Sequence, residues 1–352
     1  MTKKTTQTNL QAKKAEKLFA AAIKAEDEGK FEKAQLLYEQ SIQADKNSFA
    51  SRLRLAGLLW GEQHKYKEAI KITKLIVKRW PQTMAYSILG NSYMKLGRFV
   101  QAEKTWRQSL AIEATPEAYF FLGFTLTELN RDDEAIACYK KAIKLDPNYD
   151  EAHYNLGCRY KLQGQYTLAE KHLRKAIAID SKYARAYAEL GMVLLKGERD
   201  EGKIKVAVRL LQKSIRLDPN YGWPHVYLAN ALWRLRRRKA ADAQYRKVIE
   251  LWPHYSLSYW AYGGFLADLW KDSSLAESYL RKAVELDPQD EVANYWLGKS
   301  LLKWNRKSEA KKYLKKAMRL GYETAAILFT NTYPPSRILL IIPPSPKIDR
   351  LE

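Results

Sequence analysis

The sequence predicts an all-α protein in which helical hairpins stack into a solenoid, and two observations carry this prediction. Glycines recur at spacings of 33, 34 and 34 residues, at Gly90, Gly123, Gly157 and Gly191. Apolar residues within each period recur every three or four positions, as they do in amphipathic helices. A fixed period of this length is typical of repeat architectures, in which each hairpin packs against the next.

Each period consists of two predicted helices joined by a short turn. Ala102, Ala135 and Ala169 keep the same period inside the second helix, where a bulky side chain would push the two helices apart. Glycine often marks the turn, and proline often ends the second helix because its ring cannot continue it. The turn glycines are Gly29, Gly97 and Gly164, and the closing prolines are Pro147, Pro219, Pro253 and Pro288.

These periodic residues resemble the tetratricopeptide repeat family. One repeat carries Leu122, Gly123, Ala135, Tyr139 and Pro147 at the family's spacing, and the next repeat has the same pattern. The resemblance covers most of the chain and implies a right-handed superhelix of antiparallel helix pairs. Nine repeats are predicted, at residues 15–48, 50–82, 83–115, 116–149, 150–183, 184–221, 222–255, 256–290 and 291–324.

The two ends of the chain depart from the pattern. Repeat one has Ala22 where glycine is usual and repeat nine ends at Tyr322 where proline is usual, as capping repeats do. Residues 1–14 are predicted to be a polar N-terminal segment, and residues 325–330 the end of a C-terminal capping helix. Residues 331–352 are predicted to form a Pro-rich extended tail.

Two further segments interrupt the repeats. The apolar run Ile338–Ile342 has prolines on both sides. We expect it to fold back onto the solenoid or into its groove, or to serve as a docking strand for a partner; a poorly ordered tail is the alternative. An insertion near residues 197–202 explains the spacing of 38 residues between Tyr183 and Tyr221. We interpret it as a lengthened turn between two helices, of the kind that loops tolerate well.

The composition indicates a basic protein from a reducing compartment. Lys and Arg number 61 against 39 Asp and Glu, a net charge of +22, which predicts attraction to acidic protein segments, nucleic acid or anionic lipid. Cys138 and Cys158 cannot form a disulfide framework and lie in helical patterns. No secretory signal follows Met1, and no apolar stretch approaches the roughly 20 residues of a membrane span. We therefore expect a cytoplasmic location.

The resemblance also implies where a partner binds. In the family, the first helix of each hairpin lines a concave groove, mainly through its second, fifth, sixth, ninth, twelfth and thirteenth positions. These positions are aromatic in the middle repeats, and farther along aromatic residues alternate with cations. The alternative for each ring is packing against the neighbouring hairpin. The candidate partner-binding residues are Phe120, Phe121, Phe124, Tyr154, Asn155, Arg185, Trp223, Tyr227, Asn230, Trp233, Arg234, Trp260, Tyr295, Trp296, Lys299 and Lys303.

The function expected from this surface is a scaffold or adaptor that holds a protein segment with apolar anchors and acidic residues. Trp, Tyr and Arg carry most of the binding energy at protein interfaces. The alternative is a protein associated with RNA or another polyanion, which would use the run Arg236, Arg237, Arg238 and Lys239 as an anion patch and bind with strong salt dependence. A sensor arm for a catalytic partner is compatible with the same residues.

An enzyme is not expected. The five histidines are expected to lie in different repeats and at different repeat positions, and no zinc spacing, phosphate-binding glycine loop or nucleophile motif is present. We therefore expect no catalytic residue, metal or cofactor. The family's carboxylate clamp is also not expected, because Phe120 and Phe124 stand where lysine and asparagine are needed and Glu189 replaces an arginine.

Overall fold

The computed structural model describes residues 3–196, 200–269 and 273–333, and within these ranges it contains helices and no strand. The predicted all-α solenoid of helical hairpins is confirmed. The predictions for the tail from residue 334 onward, including its apolar run, and for residues 197–199 of the insertion lie outside the described residues.

The helices group into two compact units, one ending at Val193 and the other beginning at Leu194. The first unit contains α1 to α10 and most of α11: α1 (Lys3–Asp27), α2 (Phe31–Ala44), α3 (Phe49–Gly61), α4 (Tyr66–Arg79), α5 (Thr83–Lys95), α6 (Phe99–Ile112), α7 (Pro116–Glu128), α8 (Asp132–Leu145), α9 (Asp150–Leu162), α10 (Tyr166–Ile179) and α11 (Ala184–Leu195). Each odd-numbered helix is the first helix of a repeat, and the next helix is its second.

The second unit continues the same order of helices. It contains α12 (Glu201–Leu217), α13 (Gly222–Arg234), α14 (Arg238–Leu251), α15 (Ser256–Leu269), α16 (Ser273–Leu286), α17 (Glu291–Lys303), α18 (Lys307–Arg319) and α19 (Glu323–Thr332). α12 has 17 residues, whereas α8 and α14 have 14. The insertion was predicted to lengthen only a turn, but three of the extra residues extend this second helix.

The small residues pack as the sequence predicts. A Cβ atom added to Gly90 would lie 2.6 Å from the Trp106 ring, and one added to Gly157 would lie 2.8 Å from Leu173 Cγ. In both repeats the large residue belongs to the second helix of the same hairpin. The eighth position therefore needs glycine because the two helices approach closely there.

The turn between the two helices requires a left-handed backbone. Gly97 and Gly164 have φ of +67° and +73°, which confirms the predicted role of glycine at this position. The same position is taken by a residue with a side chain in four other repeats. These residues are His64, Asn130, Arg236 and Asn305, with φ between 53° and 62°. Such residues hold the turn at a cost in backbone strain.

Several first helices begin with a side-chain cap. The Thr115 side chain accepts a hydrogen bond from the Ala118 N–H of α7, and the Asp290 carboxylate accepts from the Val292 and Ala293 N–H groups of α17. Second helices such as α8, α14 and α18 begin instead at an arginine, and no side chain caps their first N–H groups. Acidic residues in the first turn offset the positive end of the helix dipole in α8 and α18, whereas the first turn of α14 has none.

The ends of the chain are more helical than predicted. α1 begins at Lys3, so most of the predicted polar segment at residues 1–14 is part of this helix. α19 forms the expected capping helix but extends to Thr332. The Tyr333 hydroxyl donates to the Lys307 carbonyl at 2.6 Å, which fixes the end of α19 against α18.

Candidate functional site

The predicted groove residues lie on the first helices of the repeats, and we call this surface the first-helix face. In the first unit, the Phe121 ring on α7 stacks on Trp106 with centroids 5.1 Å apart. Phe124 is half-buried. Phe120 is only 9% exposed, because its ring packs against Tyr139 and Tyr149. Phe120 therefore contributes to packing and offers little surface to a partner.

The next two first helices carry a mixed polar and aromatic surface. The Tyr154 ring packs against Tyr183 at 4.9 Å, and the Asn155 amide donates to the Glu151 carbonyl at 2.8 Å. Burial raises the pKa of the neighbouring Cys158 thiol to about 12, so it stays protonated at neutral pH. Arg185 on α11 is exposed.

An aromatic platform lies on the first-helix face of the second unit. Trp223 is 38% exposed, and its ring stacks on Tyr227 at 5.9 Å and meets Trp252 edge-on at 5.5 Å. A Cβ atom at Gly222 would collide with the Trp252 ring, so the glycine lets Trp252 support Trp223 from below. We call Trp223, Tyr227 and Trp252 the aromatic platform.

Other predicted groove aromatics pack between neighbouring first helices. Trp233 on α13 meets Phe265 on α15 edge-on at 5.4 Å. Trp260 packs on the apolar cluster around Leu297. Trp296 on α17 lies over Gly264, where an added Cβ atom would be 3.0 Å from its ring. These three tryptophans thus join consecutive repeats within the second unit and remain only partly accessible.

Two more aromatic and polar candidates are also engaged. Tyr295 is 8% exposed, because it packs against Trp296 and Tyr322. The Asn230 side chain is exposed, and its Oδ1 accepts a hydrogen bond from the Tyr245 hydroxyl at 2.8 Å. Tyr295 therefore belongs to the interior of repeat nine, and Asn230 closes the hairpin of repeat seven.

The predicted cations at the thirteenth position connect neighbouring repeats. Arg234 Nη1 on α13 donates to the Leu195 carbonyl at 2.5 Å, and Lys303 Nζ on α17 donates to the Ala267 carbonyl at the end of α15. Both cations thus bind the C-terminal carbonyls of the preceding first helix, where the helix dipole favours positive charge. Sequence analysis missed this role, although the recurrence of a cation at this position was a signal for it.

The run Arg236 to Lys239 is exposed at the turn between α13 and α14. It lines a cavity of about 650 Å³ together with Ala240 and Leu269. A second basic cavity, of about 430 Å³, lies in the first unit beside Leu75 and Trp80. The Arg79 guanidinium lies 4.7 Å from the Trp80 ring centroid there.

One histidine prediction is wrong. His153 and His172 lie in the same repeat, and their Nδ1 atoms are 2.9 Å apart. Sequence analysis missed the pair because its members lie on different helices of one hairpin. Within the described ranges, no group of three or more His, Cys, Asp and Glu side chains could hold a metal ion. No described helix combines the length and apolar character needed to cross a membrane.

Family profiles match this chain along both units. A profile described as TPR repeat matches residues 123–160 and 157–197, and profiles described as tetratricopeptide repeat match residues 228–291 and 292–320. The chain is a tetratricopeptide repeat protein. Proteins of this family generally bind protein partners.

Similar curated proteins are much longer than the aligned region. Superkiller protein 3 of Schizosaccharomyces pombe is 22% identical over 276 residues, which cover 74% of this chain and 20% of that protein. Protein O-mannosyl-transferase TMTC2 of Homo sapiens is 33% identical over 109 residues, which cover 30% of this chain and 13% of that protein. The chain therefore spans a fifth or less of the length of these relatives.

A solved structure shares the fold. The APC/C hetero-tetramer Cut9–Hcn1 contains a chain that matches with a TM-score of 0.58 at 18% identity. The match covers 77% of this chain and 52% of that chain. At this identity the likeness shows the solenoid fold alone.

Proposed function

We propose that this tetratricopeptide repeat protein is a non-catalytic scaffold that holds a segment of another protein on its first-helix face. The observation that carries the proposal is the aromatic platform. Trp223 leaves 38% of its surface exposed although Tyr227 and Trp252 fix its ring. A large ring that is already ordered loses little conformational entropy on binding and suits a hot spot.

The charges on the same face define the segment that it would hold. Lys299 Nζ lies 4.2 Å from the Trp296 ring centroid, so a cation and an aromatic surface are offered together. A segment with apolar anchors and interspersed acidic residues would satisfy both kinds of group.

Two observations support a role without catalysis. Burial raises the pKa of both cysteine thiols, that of Cys158 to about 12, so neither is a thiolate nucleophile at neutral pH. The Nδ1 atoms of His153 and His172 lie 2.9 Å apart inside one hairpin, and burial lowers the pKa of both rings. These two cysteines and two histidines therefore serve the interiors of their hairpins.

A displayed random-peptide library selected on the purified protein would supply the segment, and Trp223→Ala would test the platform. We expect the substitution to weaken the enriched peptides about 30-fold, equivalent to about 2 kcal/mol, because it removes a preordered hot spot. Fluorescence anisotropy of labelled peptides measures the dissociation constants.

Tyr255→Ala provides the matched control. Tyr255 is 65% exposed and also contacts Trp252, with ring centroids 6.1 Å apart, but it lies outside the first-helix positions. Its loss should change peptide affinity less than about twofold. The proposal is wrong if the selected peptides bind the Trp223 variant as tightly as the wild type, or if both variants weaken equally.

A further inference from the structure

The N-cap residue of α8, the second helix of repeat four, is an arginine that binds two carboxylates. Arg131 Nε and Nη2 donate to the Glu134 carboxylate at 2.6 and 2.7 Å, and Nη1 donates to Glu103 of the preceding repeat at 2.8 Å. Glu134 lies three residues after the arginine. The guanidinium group of Arg131 therefore binds one carboxylate from its own helix and one from the preceding repeat.

Repeat nine reproduces this arrangement. Arg306 Nε and Nη2 donate to Glu309 at 2.7 and 2.8 Å, and Nη1 donates to Glu277 of the preceding repeat at 2.6 Å. The hydrogen bonds from Arg306 lower the pKa of the Glu309 carboxyl group, as those from Arg131 lower that of its partner. Two repeats in different units thus use one geometry to hold two carboxylates.

Repeat seven has the arginine but neither carboxylate. Arg237 is the N-cap residue of α14 and has φ −83° and ψ 65°, close to the −94° and 62° of Arg306, the N-cap residue of α18. Three residues later stands Ala240, and Val208 takes the position of the glutamate from the preceding repeat. Arg237 makes no ion pair with any described residue. Its guanidinium group is therefore available to an external anion.

Each missing carboxylate corresponds to a cavity. Arg237 and Ala240 line the cavity of about 650 Å³, and Arg237 and Val208 line an adjoining one of about 380 Å³. Leu235 and Leu269 give the two cavities apolar walls. An anion in either cavity would reach the Arg237 guanidinium group. It would take the place that a glutamate has beside the corresponding arginine of repeats four and nine.

The surroundings of these cavities are strongly cationic. The described lining residues include six cations and no acid. At the rim, Glu201 pairs with Lys205 at 2.7 Å. The first N–H groups of α14 also lack a side-chain cap, which adds to the positive potential. We call the six cations the cationic edge: Lys205, Arg209, Arg236, Arg237, Arg238 and Lys239.

We infer that the cationic edge binds an acidic segment of a partner protein, whose carboxylates take the two places that glutamates occupy in repeats four and nine. Carboxylates are the groups that this guanidinium position already holds elsewhere in the chain. The apolar walls suit aliphatic side chains between the acidic residues. We favour carboxylates over the phosphates of nucleic acid because glutamates fill this guanidinium position in repeats four and nine.

A short fluorescein-labelled peptide that repeats Glu-Glu-Leu is the probe, titrated with the purified full chain at about 0.15 M salt and followed by anisotropy. Ala240→Glu restores the carboxylate of repeats four and nine, so it should occupy Arg237 and weaken the peptide about tenfold while preserving the melting temperature. Arg237→Gln should weaken the peptide by a similar factor.

Arg98→Gln is the matched control. Arg98 is the N-cap residue of α6, at the same repeat position as Arg237, and makes no ion pair with a described residue. Three residues after it stands Gln101, where repeat seven has Ala240. This variant should bind the peptide within about twofold of the wild type. The inference is overturned if the wild type does not bind the peptide, if Ala240→Glu binds it unchanged, or if Arg98→Gln weakens it equally. Tighter binding of an oligouridylate of equal net charge, abolished by Ala240→Glu, would assign the edge to nucleic acid instead.

Discussion

Repeats five and seven have the same hairpin backbone but differ at three matched positions. Both place a buried histidine at the fourth position. His153 Nδ1 lies 2.9 Å from His172 Nδ1 in repeat five, and His225 Nδ1 lies 2.8 Å from Gln244 Oε1 in repeat seven. The repeats also differ at the eighth position and at the turn. The comparison shows which properties belong to the hairpin and which belong to single residues.

The hydrogen-bond partners fix the protons of the histidine pair. The Pro147 carbonyl, 3.3 Å away, can only accept, so His153 Nε2 carries a proton and its Nδ1 accepts from His172. Burial, together with the nearby His153, Lys171 and Lys140, lowers the pKa of His172 to about 4. Burial therefore favours the state of the pair in which both rings are neutral.

The amide in repeat seven performs the same connecting role without titrating. Gln244 Oε1 accepts the hydrogen bond from His225 Nδ1, and an amide has no titratable proton. One residue on the second helix thus decides whether the buried histidine meets a titratable ring or an amide, while the geometry of the hairpin stays the same.

The largest expected effect concerns the eighth position, which is Gly157 in repeat five and Ala229 in repeat seven. Gly157→Ala should destabilise the protein by about 2 to 3 kcal/mol, because the new Cβ atom would lie 2.8 Å from Leu173 Cγ and 3.2 Å from the Ala169 carbonyl oxygen. Urea denaturation followed by circular dichroism measures the change. Gly57 has the same repeat position with nothing within 4 Å of its added Cβ atom.

Gly57→Ala is therefore the control for Gly157→Ala. It should stabilise the protein by about 0.5 to 1 kcal/mol, since alanine is the better helix former. The same glycine-to-alanine substitution is then expected to lower the free energy of unfolding at residue 157 and to raise it at residue 57. If both stabilise the protein, the helices of repeat five do not approach as closely as described.

An intermediate effect is expected from acid. The lowered pKa of His172 means that the unfolded chain binds more protons between pH 6.5 and about 4, so stability is full above pH 6.5 and falls as the pH drops through this window. After allowance for partial solvent screening, the loss should be about 1 to 2 kcal/mol. His172→Gln, which copies repeat seven, should remove this part of the loss in urea titrations at pH 7 and pH 4.5. An unchanged pH dependence in the variant would show that the pair does not titrate as described.

The smallest effect is expected at the turn. Arg236 in repeat seven has φ +58°, where repeat five has Gly164 at +73°. Arg236→Gly should stabilise the protein by about 1 kcal/mol by relieving backbone strain, and Gly164→Ala should destabilise it by a similar amount. The melting temperatures of the two variants test this, with shifts of opposite sign expected. Equal signs would mean that the turn tolerates side chains freely.

Much of the fold follows from periodic residues. Gly90, Gly157 and the turn glycines were predictable because their roles repeat with the period and depend on steric rules alone. The extension of α12 was not predictable, because an insertion between two helices can enter a turn or a helix. The first residues of α1 were assigned to a polar segment because they carry no apolar stripe.

The site was less predictable than the fold. Repeat position places a side chain on the first helix, but it does not decide whether the neighbouring repeat covers it. Phe120 and Trp223 both belong to the predicted groove, yet one is buried and the other exposed. Arg234 and Lys303 bind carbonyls of another helix. Arg237 differs from Arg131 and Arg306 because Ala240 and Val208 stand where those arginines have glutamates. The pattern of a single sequence does not show that a carboxylate is expected at these two places.

The bonds between a second helix and the repeat before it affect how the solenoid opens. Arg131 to Glu103 and Arg306 to Glu277 each add to the coupling between neighbours, which sets how far a local opening spreads in a linear array of repeats. Arg237 lacks this ion pair, so the contact between α12 and α14 has one fewer bond between neighbouring repeats. An acidic segment bound there would supply the cross-link from outside, and the stiffness of the joint would then follow the concentration of the partner.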